Sequence, residues 1–231
     1  MTIQNTLSNL EPICLNGVET YLFDLDNTLY HESTGLMDAM MLRMREYVAK
    51  FYSVDMAEAD KICVDYWTTY GTTLCGLMTR EKINAQEFLD FVHDVDLSII
   101  QPCTDTLAGL QKLKGRKVIF TNADHFHATR VLERMGLADQ FEGIYDVIWA
   151  DYQPKPARET YERLMKHLNA NPHTTVMLED THVNLKTAHE MGMKTVLIHG
   201  DAHPEKHDHV HQMAACMPSW LSSVTKMTEA A

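Results

Sequence analysis

The stretch Phe23-Asp24-Leu25-Asp26-Asn27-Thr28-Leu29-Tyr30, FDLDNTLY, decides how this chain is read. It follows Glu19-Thr20-Tyr21-Leu22, and residues 19–26 together have the look of a buried strand. Two carboxylates two residues apart at the end of such a strand are costly. Like unit charges about 4 Å apart repel by roughly 4 kcal/mol at an effective dielectric of about 20. That cost points to a task, either a cation to hold or acid–base work. Taken alone, the pair also fits a capped turn in which Asp26 and Asn27 bond local amides.

Outward from this stretch the pattern changes. From His31, Met37, Met40, Met41, Met44, Tyr47, Val48 and Phe51 recur at spacings of three and four, one apolar helix stripe. Further helices are expected over 57–70, 74–80 and 85–92, and Gln101-Pro102 closes the block. Residues 31–103 therefore read as an all-helical cap domain, with 1–30 and 104–231 forming a discontinuous core. The methionines are read as packing, since an adaptable side chain fills irregular cores.

After the insert, a helix over 104–115 ends at a glycine, and strand 117–120 stops at Thr121-Asn122. A helix over 125–135 ends at Gly136, and strand 145–150 follows. Gln153-Pro154-Lys155-Pro156 is a loop feeding a helix over 157–168. Strand 174–178 stops at Glu179-Asp180; a helix to Met191 and strand 194–198 complete the series. This alternation predicts an α/β fold, a doubly wound, mostly parallel sheet with a helical cap inserted after the first strand.

Composition narrows the function classes. The 231-residue chain is 45% hydrophobic and has no apolar run near the roughly 20 residues that span a bilayer. Met1 to Asn16 lacks the basic start and apolar stretch of a signal peptide. A net charge of −12 with no basic block disfavours a nucleic-acid polymer as partner, yet allows a small anion held by one local cation. Five scattered cysteines without a CxxC pair suit buried thiols in a reducing cytoplasm. Oligomeric state and the roles of residues 1–18 and of the tail after Ser219 are left open.

Polar residues recur where strands end, and ligands of open α/β sheets sit outside those carboxyl ends. Asp24, Asp26, Glu179 and Asp180 offer four negative groups against one positive, Lys155. A hard divalent ion resolves the imbalance, and Mg²⁺ is the natural choice. Asp24 is then expected to attack phosphorus, with Asp26 as proton donor and acceptor. Thr121 and the amides beyond it, including Asn122, are expected to bond phosphoryl oxygens, and Lys155 to spread charge. Individually these residues have plainer uses. Thr121 fits a strand-end hydroxyl, Lys155 a solvated charge and Glu179-Asp180 a helix cap.

DLDNT after a hydrophobic strand, IFTNA, the Lys155-Pro156 pair and MLED at 177–180 resemble, in order, the four motifs of the haloacid dehalogenase-like phosphatases over about 19–200. The resemblance implies a Rossmann-like core and a Mg²⁺-dependent phosphomonoesterase. It implies a metal bound by the Asp24 carboxylate, the Asp26 carbonyl and Asp180, with Glu179 adjacent. Within that superfamily, DNTLY at 26–30, YGTTLCGL at 70–77 and FTNADHFHATRVLERMGL at 120–137 resemble the pyrimidine 5′-nucleotidase group. That implies a nucleoside monophosphate substrate and includes His127, read equally as a substrate contact or a helix-packing residue. Tyr30 either closes over substrate or packs the junction.

A phosphatase of another small metabolite, such as a sugar phosphate or phosphorylated cofactor, is the rival enzyme. A phospho-ligand or protein-binding module on the same fold is the rival of another class. Dehalogenase chemistry has no evident use for a second acid at Asp26. His199, His203, His207 and His211 recur at intervals of four with His209 among them, but Pro204 interrupts any helix there. An exposed, charged segment is expected rather than a metal site.

Overall fold

Four hydrophobic runs form the centre of one sheet: β1 (Thr20–Phe23), β2 (Arg116–Phe120), β4 (Thr175–Glu179) and β5 (Lys194–Ile198). The computed structural model describes residues 13–200 and 205–229; residues 1–12 and His203 lie outside the described residues. With β3 (Ile144–Tyr145) and β6 (Gln212–Ala214), the strands lie in the order β3-β2-β1-β4-β5-β6, every neighbouring pair parallel. A parallel sheet is covered on both faces, so its strands are apolar throughout rather than alternating with polar residues. All four residues of β1 are buried accordingly.

Successive side chains of a strand point to opposite faces, and two cores result. On one face Leu22, Val118, Phe120 and Met177 pack with Tyr161 and Leu164 of α7 (Arg158–Leu168) and Leu185 of α8 (His182–Glu190). On the other, Phe23, Ile119 and Leu178 pack with Leu110 of α5 (Thr104–Lys112), Val131 of α6 (His125–Met135) and Trp220 of α9 (Met217–Glu229).

Between β1 and β2 the chain inserts α1 (Leu36–Tyr52), α2 (Met56–Tyr70), α3 (Thr73–Glu81) and α4 (Ala85–Val92). Asp55, Thr72 and Asn84 cap the starts of α2, α3 and α4 by accepting first-turn amides. Gly76 lets α3 meet α2 closely, since a Cβ there would fall 2.3 Å from Tyr66 Cγ. The return linker is held by α6. Arg130 donates to the carbonyls of His93 and Val95, and Arg134 to that of Ile100.

Several sequence expectations need correction. The strand over 145–150 is only Ile144–Tyr145, because Asp146 folds the chain back by accepting the amides of His125 and Trp149. The helix expected to reach Gly115 ends at Lys112. Gly115 instead adopts φ 115° and passes so near β1 that a Cβ would sit 2.9 Å from the Glu19 carbonyl. The His-rich segment is not wholly an exposed tail: Val210 and Gln212 are buried, and the segment feeds β6 and α9. The cysteines are free but not buried, with Cys14 exposed and the other four partly so. No helix among the described residues is long and apolar enough to cross a membrane.

Trp220 is 0% exposed and donates its indole N–H to Gln212 Oε1 at 3.2 Å, tying α9 to β6. Trp220→Ala is expected to cost about 3–5 kcal/mol, the usual range for deleting a buried aromatic, read as a lower urea midpoint with little change in slope.

Candidate active site

The strand order reverses between β1 and β4, the topological switch point of a doubly wound sheet, and the crevice outside those two strand ends is where such folds bind ligands. β1 delivers Asp24 and Asp26 there, β2 delivers Thr121 and Asn122, and β4 delivers Glu179 and Asp180. Lys155 arrives from the loop before α7. All seven line one cavity of about 540 Å³ beneath the helical insertion.

The centre of this group is a buried ammonium. Lys155 is 2% exposed and donates to Asp24 Oδ1 at 2.7 Å and to Glu179 Oε2 at 2.9 Å. Its loop is clamped by Asn122, whose Oδ1 accepts the Lys155 amide at 2.8 Å while its Nδ2 donates to the Lys155 carbonyl at 3.2 Å. Asn122 thus spends its side chain on positioning Lys155. Thr28 Oγ1 donates to Asp24 Oδ2 at 2.8 Å, and Asn184 Nδ2 donates to Glu179 Oε1. Thr121 Oγ1 accepts the amide of Ala123 at 3.0 Å, which turns the chain at the end of β2.

Asp26 is held separately. Its Oδ1 accepts from the Tyr30 hydroxyl at 2.7 Å and from His127 Nε2 at 2.9 Å. Neither Tyr30 nor His127 lines the cavity; both are buried and grip Asp26 from behind. The His127 ring stacks on that of His93 at 4.5 Å, and His93 Nδ1 stands 3.2 Å from Asp124 Oδ2. His93 follows α4, so the end of the insertion touches the group that holds Asp26.

Electrostatics divide the acids. Burial raises the carboxyls of Asp24 and Glu179, and the Lys155 ammonium offsets only part of that effect. Asp180 is pushed up to about 7, by burial first and then by Asp24. Burial would lower Lys155, but Asp24 and Glu179 overcome it and hold the ammonium above its usual range. Asp26 goes the other way: burial raises it, yet His127 and the hydrogen bonds from His127 and Tyr30 bring it below the usual carboxylate range.

Carboxylate oxygens from Asp24, Glu179 and Asp180 lie within 4.8 Å of one another. An all-oxygen, net-negative donor set suits a hard divalent cation such as Mg²⁺, whose charge would favour the ionised carboxylates against the effect of burial. Both Glu179 oxygens are already engaged, by Lys155 and Asn184, whereas Asp180 Oδ1 bonds only the adjacent Thr181 hydroxyl.

The insertion supplies the cavity's apolar wall. Met37, Met40 and Met44 of α1, Trp67 of α2 and Phe88 of α4 line it, while Met41 is exposed. The methionine stripe therefore packs the insertion and also faces the cavity. Thr28 and Asn184 sit within a few residues of the acids they bond and were within reach of motif reading. His93 was not, because nothing in its local sequence relates it to His127.

An acid whose folded pKa is raised binds more protons folded than unfolded between the two values, so stability falls as pH rises through that window. Between pH 3.8 and about 7, ionisation of Asp180 should thus destabilise the metal-free protein. Melting in EDTA is expected to show a steeper loss of Tm across this range for the wild type than for Asp180→Asn. Equal slopes would remove Asp180 from the cluster.

Residues 18–192 match the family described as haloacid dehalogenase-like hydrolase. Phosphate metabolism protein 8 of Saccharomyces cerevisiae is 28% identical over 202 residues, covering 78% of this chain but only 61% of that protein's length. Glyceraldehyde 3-phosphate phosphatase of Methanocaldococcus jannaschii is 27% identical over 197 residues, covering 78% of this chain and 85% of that one. In fold, the chain is similar to the HAD-hydrolase YfnB of Bacillus subtilis, solved bound to magnesium, with a TM-score of 0.60, 16% identity and coverage of 91% and 98%. The family match runs from β1 through α8 and takes in every strand end that lines the cavity, so the chain belongs to the haloacid dehalogenase-like hydrolases.

Proposed function

We propose that the protein is a Mg²⁺-dependent phosphomonoesterase of small phosphorylated metabolites that works through an aspartyl phosphate on Asp24. The observation that carries this is the Lys155 ammonium seated on Asp24 at 2.7 Å, beside three further acids in one cavity. Lys155 and Thr28 fix the two Asp24 oxygens and so orient the carboxylate for in-line attack. The Asp24–phosphorus bond forms as the ester oxygen departs and takes a proton from the Asp26 side. Water then attacks phosphorus, Asp26 takes its proton, and inorganic phosphate leaves Asp24. Bound Mg²⁺ would neutralise charge between the acids and the phosphoryl oxygens, with Asp24 and Asp180 as its carboxylate ligands. Glu179 is assigned to holding Lys155, whose ammonium donates to its Oε2 at 2.9 Å.

Tyr30 and His127 act on Asp26, not on substrate. Both bonds fall on Asp26 Oδ1, which leaves Oδ2 for proton transfer. Burial raises the Asp26 carboxyl, but His127 and Tyr30 outweigh it and hold it below its usual range, which suits Asp26 as the base toward water.

On substrate, a small phosphate ester such as a sugar phosphate has the better support, since the archaeal relative is named for a triose-phosphate phosphatase. A nucleoside 5′-monophosphate, pyrimidine included, is the second reading. Trp67 and Phe88 in the cavity wall favour it, as an aromatic surface suits a base better than a sugar.

Phosphate release from p-nitrophenyl phosphate should require Mg²⁺, stop in EDTA, and fall by about a thousandfold or more in Asp24→Asn. Full activity in that variant would end the covalent scheme. A panel of sugar phosphates, UMP, CMP and purine nucleotides separates the two substrate readings, and no turnover across the panel would favour a binding module. His127→Phe is expected to lower kcat by about a hundredfold, with KM little changed and the acidic limb of the pH–rate profile moved to higher pH. A change in KM alone would assign His127 to substrate binding.

A further inference from the structure

A second cluster of ligating side chains lies outside the cavity. His182 opens α8, two residues past Asp180, and His207 and His209 come from the turn that leads into β6. The turn is closed by the Val210 amide donating to the His207 carbonyl at 2.9 Å and is anchored by buried Val210. The His182 and His207 rings stack 3.7 Å apart, and His209 lies 5.5 Å from the first and 5.3 Å from the second. One ring nitrogen from each lies within 4.8 Å of the others. The four-residue spacing of the sequence does not produce this group. His211 is turned to Thr195, its Nδ1 lying 2.7 Å from the hydroxyl, and His182 belongs to no histidine run.

Two details suit a metal better than chance proximity. His182 Nδ1 is buried with no hydrogen-bond partner. His209 Nε2 lies 2.9 Å from the His182 carbonyl, so it donates there and its Nδ1 keeps the lone pair. A ring whose second nitrogen donates to a backbone carbonyl is the usual arrangement of a ligating histidine. Metal–nitrogen bonds of about 2.0–2.1 Å require the His182 and His207 rings, stacked 3.7 Å apart at 9°, to turn until their nitrogens converge on one point.

We propose that His182, His207 and His209 form a site for a borderline transition-metal ion, Zn²⁺ foremost, which ties the segment before β6 to the start of α8. Three neutral imidazoles favour Zn²⁺, Ni²⁺ or Cu²⁺ over Mg²⁺. The site is thus chemically separate from the oxygen-lined cavity, and three protein ligands leave a position for water or an exogenous ligand.

The test uses the tag-free full-length chain, stripped with EDTA and titrated with Zn²⁺ under excess Mg²⁺, with Co²⁺ absorption as a second readout. One equivalent is expected to bind, to raise Tm, and to give a tetrahedral-type Co²⁺ spectrum. His182→Gln and His209→Gln should each weaken binding by more than about tenfold. His189→Gln and Asp180→Asn should retain it. His207→Gln, confined to the turn, serves if either other variant misfolds by circular dichroism. No binding, several weak equivalents untouched by these substitutions (an adventitious ion only), or loss in Asp24→Asn alone would overturn the assignment.

Discussion

The site depends on one buried ammonium. Lys155 carries a full charge at 2% exposure, which is tolerable because Asp24 and Glu179 accept hydrogen bonds from its ammonium at 2.7 and 2.9 Å. Removing one partner of a buried pair leaves an uncompensated charge and costs about 3–5 kcal/mol. The pairing is nonetheless unbalanced. Asp24, Asp26, Glu179 and Asp180 outnumber Lys155, and burial first, then the neighbouring acids, raise the carboxyls of Asp24, Glu179 and Asp180. The same excess makes the site receptive to a divalent cation and, through it, to a phosphoryl group.

Sheet topology makes this concentration of charge possible. In a parallel sheet all strands end on the same edge, and between β1 and β4 the connections diverge to opposite sides. Side chains from three strand ends and the Lys155 loop can then meet without crossing a core. The Asn122–Lys155 pair locks that loop to the end of β2, and the Asp24 amide donates to the Leu178 carbonyl to lock β1 against β4. The insertion roofs the crevice with methionines and aromatics, so polar chemistry sits below and an apolar wall above.

The parts readable from sequence were those with local chemistry. β1, β2, β4 and β5 are apolar runs, and their ends carry polar side chains that a buried run must stop for. Gly136, in the left-handed region at φ 71°, closes α6 where the sequence places its end. The parts that escaped depend on tertiary placement. β6 has three residues and no pattern of its own, and it exists because Val196 to Ile198 offer it an edge. β3 is cut short by Asp146, whose capping bonds reach α6. His93 and His127 are remote in sequence, and only the return of the insertion brings their rings together.

Asp180, Thr181 and His182 therefore lie between two donor sets of opposite character. Asp180 faces three acids and an ammonium, while His182 faces two imidazoles. An oxygen donor set suits hard ions and an imidazole set borderline ones, because ligand softness governs the preference. An ion on the histidines would fix the start of α8, and with it the backbone that carries Asp180. The link is mechanical: α8 begins directly after Thr181, and Asn184 on its first turn bonds Glu179, the same acid that holds Lys155. Hydrogen bonds thus join the first turn of α8, Glu179, Lys155 and the Asp24 carboxylate in one continuous chain.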